Sequence, residues 1–117
     1  MIEGERVRRV HFVDGRLYDE FKRLQYGRFE ERQLAESISQ AIAQLKENPF
    51  FGVRIPRKQW PKEYIQKFGV NNLQKIDLSG AWRLVYTVVG NEIEILSILL
   101  EWFPHKEYEK RFNYRVG

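Results

Sequence analysis

The chain has no cysteine, two histidines, four prolines and one methionine in 117 residues. Without cysteine it forms neither disulfides nor thiolate-ligated zinc. The two histidines, His11 and His105, stand far apart in sequence, which argues against a histidine-based metal site. Long apolar runs are also missing. The longest, Ile93 to Leu100, is interrupted by Glu94 and Ser97 and falls well short of the ~20 residues that span a bilayer. Met1-Ile2-Glu3-Gly4-Glu5-Arg6 runs straight into charge, so no secretory leader is expected. Repeats, low-complexity tracts and interdomain linkers are lacking as well. The expectation is a single soluble, cytoplasmic domain over residues 1–117, large enough for one core.

Charge is present and unevenly spread. Residues 1–53 hold nine Lys/Arg and nine Asp/Glu, a balance of zero. Residues 54–117 hold eleven Lys/Arg and seven Asp/Glu, which supplies the whole net charge of +4. That polarity suits a phosphate-rich partner. A charge-rich solvated surface of a heat-stable protein has the same composition.

Periodicity lays out the elements. Arg8–Val13 reads as a first strand, broken by Asp14-Gly15, with Asp14 suited to cap a helix starting there. Leu17, Phe21 and Leu24 recur at helical spacing from Arg16 to Gln25, and Gly27 ends that segment. A longer helix is expected from about Glu30 to Glu47, with Leu34, Ile38, Ala41, Ile42 and Leu45 as its apolar stripe. Asn48-Pro49 stops it. Residues 50–72 are irregular and basic, with a short helix over Pro61–Phe68 ended by Gly69. Three strands come next, Leu73–Leu78, Ala81–Val89 and Glu92–Phe103, with Gly90-Asn91 as a hairpin signal between the last two. Pro104–Phe112 reads as a terminal helix. The fold class is α+β: a two-helix hairpin on a small, mainly antiparallel sheet, in the order β-α-α-β-β-β with a short C-terminal helix.

Few residues look like chemistry. Arg83 shares a strand face with Val85, Thr87 and Val89. Burying an arginine on a central strand is costly unless it is paired. It can present a guanidinium fork to a phosphate, or form an internal ion pair with Asp77 or Glu101. His105 and Tyr108 lie three apart, on one face of a helix. Histidine is the commonest general acid or base, and a tyrosine hydroxyl can orient a phosphate. The plainer alternative is a surface histidine at a helix start, with Tyr108 and Phe112 packing that helix on the core. Lys106, Lys110 and Arg111 can contact an RNA backbone or form a solvated face. Trp82, Tyr86 and Trp102 can stack on bases, but on central strands they fit a core better. His11 reads as a structural strand residue.

Leu45-Lys46-Glu47-Asn48-Pro49, Lys75-Ile76-Asp77-Leu78, Gly80-Ala81-Trp82-Arg83-Leu84-Val85-Tyr86 and His105-Lys106-Glu107-Tyr108, in this element order, resemble the RelE/ParE superfamily of toxins from type II toxin–antitoxin systems. The Arg-Leu-Val-Tyr strand is the most specific of these matches. The RelE branch implies a metal-independent, cofactor-free endoribonuclease that cuts mRNA in the ribosomal A site by 2′-OH attack on the adjacent phosphate. On that template Arg83 binds the scissile phosphate, and Tyr108 orients it or protonates the leaving oxygen. Lys75 or His105 acts as the base. Asp77 stands where a companion lysine is usual, and Trp102 or Phe103 lies near the place of a missing second arginine. Arg54, Arg57 and Lys58 of the basic connection, with Lys106, Lys110 and Arg111, become the RNA-binding candidates. A cognate antitoxin, the ribosome and mRNA are the implied partners, with no membrane. The ParE branch implies a different outcome, non-enzymatic inhibition of DNA gyrase. A degenerate member would only bind RNA or its antitoxin.

Overall fold

A computed structural model describes residues 6–112. Strand β1 (Val7–Phe12) is followed by helices α1 (Gly15–Leu24) and α2 (Phe29–Glu47). Asp14 caps α1 by accepting a hydrogen bond from the Leu17 amide at 2.9 Å, which satisfies one of the first-turn N–H groups. At the start of α2, Glu31 reaches back to the Arg28 amide at 3.1 Å. Asn48, before Pro49, ends that helix. The expected stripe does face inward: Leu34, Ile38, Ala41 and Leu45 are buried with Ala35, and Ile42 is partly so.

The connection holds more structure than its proline and glycine content suggests. It contains a two-residue strand, β2 (Val53–Arg54), a 3-10 turn over Arg57–Gln59, and helix α3 (Lys62–Phe68). Gly69 closes α3 at φ 62°, a left-handed conformation that costs glycine little. Then come β3 (Gln74–Leu78), β4 (Trp82–Gly90), β5 (Glu94–Pro104) and α4 (His105–Arg111). The β4–β5 turn falls one residue later than Gly90-Asn91. Gly90 still pairs with Ile95, and the Asn91 side chain accepts from the Ile93 and Glu94 amides.

The five strands form one sheet in the order β1-β5-β4-β3-β2. Only the β1–β5 pair is parallel. Placing β1 beside the last strand needs the α1–α2 hairpin to return across one face of the sheet, where it buries the first core. That core joins Leu17, Leu24, Leu34, Ile38 and Leu45 to Ile76, Leu84, Tyr86, Leu99 and Trp102. The opposite face carries a second core of Ile55, Trp60, Tyr64, Leu73, Val85, Leu100, Phe103, Tyr108 and Phe112. The sheet is therefore covered on both faces, which is why β4 is apolar on both.

A bulge in β5 decides which aromatic ring goes to which face. Val85 pairs with Glu101 and Tyr86 with Leu99, so Leu100 is the extra residue. Side-chain alternation is displaced by one beyond it. Trp102 then falls opposite Leu84 in the first core, and Phe103 falls opposite Arg83 in the second.

Candidate functional site

The site forms where β3, β4 and α4 meet on the second face. Antiparallel pairing sets Asp77 opposite Arg83 and Lys75 opposite Val85, so Lys75, Asp77 and Arg83 share one side of the sheet. Pro104 ends β5 and turns the chain into α4, which lays Tyr108 across that side. The Arg83 guanidinium carbon lies 4.8 Å from the centre of the Tyr108 ring, and the Lys75 ammonium lies 5.4 Å from it. Both distances are in the range of cation–π attraction. Tyr108 is 1% exposed and stacks on Phe112 at 4.7 Å. Its ring is thus a core element and, at the same time, the floor under two cations.

Arg83 Nε forms an ion pair with Asp77 Oδ1 at 3.0 Å, and the same oxygen is 4.0 Å from Lys75 Nζ. Of the two pairing partners open to Arg83 on sequence, the structure selects Asp77. Glu101 is engaged elsewhere: it accepts from the Tyr64 hydroxyl at 2.5 Å and from Arg111 at 2.7 Å. Burial, reinforced by this hydrogen bond to a carboxylate, pushes the Tyr64 hydroxyl well above its ordinary pKa. Arg83 Nη1 is buried and has no hydrogen-bond partner. Burial first, and then the adjacent Arg83 charge, draws the Lys75 pKa below its ordinary 10.5, with Asp77 opposing.

His105 opens α4, where its Nε2 lies 2.6 Å from Glu109 Oε1 one turn along. The helix thus carries a histidine with its carboxylate partner, and Tyr108, whose ring lies against Lys75 and Arg83. Comparison with protein-family models, curated proteins and solved structures finds no match to this chain. The site's chemistry therefore rests on its own geometry.

The basic candidates divide. Lys106 and Lys110 are exposed on α4. Arg57 and Lys58 are exposed on the 3-10 turn, with Arg57 over the Trp60 ring at 5.3 Å. Arg111 is committed to Glu101 and to Glu107, the latter at 3.1 Å, so its charge is largely neutralised. Arg54 pairs with Gln74, whose side chain points to the α1–α2 side of the sheet. It lines a cleft of about 630 Å³ with Gln74, Val88 and Ile95, away from Arg83. Arg54 therefore does not join the cluster, because in a strand one position decides the face. Tyr86 and Trp102 are buried in the core of the first face, and Trp82 is partly buried against it.

Sequence reasoning passed over two groups, Tyr64 and Glu109. An i,i+4 spacing from His105 was available to flag Glu109. The Tyr64–Glu101 contact depends on the β5 bulge, which leaves no mark in the residue pattern. Among the described residues, no three His, Asp or Glu side chains are gathered so as to hold a metal ion. No helix among them is long and apolar enough to cross a membrane.

Proposed function

We propose that the chain is the toxin of a type II toxin–antitoxin pair, a RelE-type endoribonuclease that cleaves ribosome-bound mRNA. The observation that carries this reading is the convergence of Arg83, Lys75 and Tyr108 within cation–π distance, with His105 on the same short helix. Arg83 stabilises charge developing on the phosphoryl oxygens. Lys75, with its proton loosened by burial and by Arg83, removes the 2′ proton. The attacking 2′ oxygen forms a bond to phosphorus as the bond to the 5′ oxygen breaks, leaving a 2′,3′-cyclic phosphate and a 5′ hydroxyl. His105, oriented by Glu109, returns a proton to the leaving oxygen. Tyr108 holds the Arg83 guanidinium in place through its ring. That is a change of emphasis for Tyr108, whose burial favours positioning over proton transfer. The exposed Lys106, Lys110, Arg57 and Lys58 guide the RNA backbone, and a cognate antitoxin restrains the activity.

The test is analysis of mRNA from programmed ribosomes incubated with purified protein. Fragments ending in a 2′,3′-cyclic phosphate support the reading. Intact mRNA together with blocked DNA supercoiling by gyrase would replace it with the ParE-type one. RNA binding without fragments would identify a binding-only member.

A further inference from the structure

We propose that Asp77 is a built-in competitor for the anion that Arg83 is placed to bind, and so sets the phosphate affinity of this site. The proposal rests on the reading of Arg83 as the phosphate anchor. Asp77 stands directly across from Arg83 in the β3–β4 pair, and its Oδ1 lies 3.0 Å from Nε as an ion pair. The Asp77 side chain is 71% exposed and that of Arg83 14%. The carboxylate therefore forms the solvent side of the pair, where an arriving anion first meets the guanidinium. One oxygen at Nε leaves much of the fork unused, and Nη1 is buried with no hydrogen-bond partner.

A phosphodiester brings two non-bridging oxygens and engages a guanidinium through two parallel hydrogen bonds. The single contact from an exposed carboxylate is weak by comparison. Phosphate binding thus displaces Asp77 into solvent and draws the guanidinium outward along the Tyr108 ring. Without RNA, Asp77 offsets the repulsion between Lys75 and Arg83, which otherwise share the face uncompensated. The carboxylate lies 4.0 Å from the first and 3.0 Å from the second. A lysine at this position would add a third cation. An aspartate makes the empty site stable and its affinity for phosphate lower.

The experiment is an NMR titration of the full chain with inorganic phosphate, comparing wild type, Asp77→Asn, Asp77→Ser and Asp77→Asn combined with Arg83→Ala. Both single Asp77 variants should bind phosphate about threefold to tenfold more tightly, with the Arg83 Nε–H resonance shifting on saturation. The double variant should lose that gain. Unchanged or weaker binding in both single variants overturns the proposal. So does a gain that survives in the double variant, since that reports net charge alone. Phosphate binding requires no cleavage, so the two ideas fail separately. Tighter binding in variants that leave mRNA intact sustains the competitor and removes the nuclease.

Discussion

Lys75 and Asp77 act on Arg83 from the same strand with opposite charge. Lys75 is the residue whose behaviour with pH is most distinctive. Its proton is held less tightly than in an ordinary lysine, through burial and the neighbouring guanidinium. A base must be unprotonated, so cleavage should rise with pH to a midpoint below 10.5. In Lys75→Arg that rising limb should vanish, and a limb that persists would assign the base elsewhere. The same shift has a sign for stability. Because the folded state lowers this pKa, the unfolded chain binds the proton more tightly, and stability rises with pH between the folded value and 10.5. At neutral pH Lys75 is a cost to the fold, one that Lys75→Met should relieve in a denaturant titration. That a strand arginine needs a carboxylate was legible from residues alone, but the sequence left Asp77 and Glu101 both open and the β3–β4 register chose Asp77. The Glu101 environment was not legible, because it depends on a one-residue slip.

At the scale of elements, α4 is the part that converts a sheet face into a site. Its seven residues are too few to hold a helix by propensity. Packing of Tyr108 and Phe112 against Phe103 and Tyr64 holds it in place. Phe112 is fully buried, so Phe112→Ala should cost about 3–5 kcal/mol in chemical denaturation and should also release His105. Tyr64→Phe is the gentler probe of the same packing. It keeps the ring and removes the hydrogen bond to Glu101, an expected loss of about 1.5–3 kcal/mol for a charge-assisted contact. A loss near zero would show that Arg111 alone satisfies Glu101. Helices α1 and α2 and the strand order after them were readable from periodicity and caps. The two-residue β2 was not, since two residues carry no period. The bulge likewise leaves an apolar run apolar in either register.

On the scale of the whole molecule, one sheet serves two cores. Leu84 and Tyr86 face α1 and α2, while Val85 between them faces α3 and α4. A substitution on either face is therefore felt by the strand that carries Arg83. Unfolding should be a single transition by near-UV and far-UV circular dichroism alike. Two separated transitions would mean that the α3–α4 layer melts alone. The sequence placed the positive excess in residues 54–117, and the fold leaves part of it exposed to solvent. Arg57, Lys58, Lys106 and Lys110 remain exposed, whereas Arg54 goes to the far face and Arg111 is paired. The α+β class and the convergence of Arg83 with Tyr108 were thus foreseeable. The sorting of basic residues was not, because it depends on strand parity and local ion pairs.

The central claim is that Arg83 stabilises charge on a phosphate during RNA cleavage. Its most direct test is the single-turnover rate of mRNA cleavage on programmed ribosomes by wild type and Arg83→Ala, with folding verified by circular dichroism. The expected result is measurable cleavage by the wild type and a loss of about 10²–10³-fold in the variant. Equal rates, or no cleavage by well-folded wild-type protein, would contradict it.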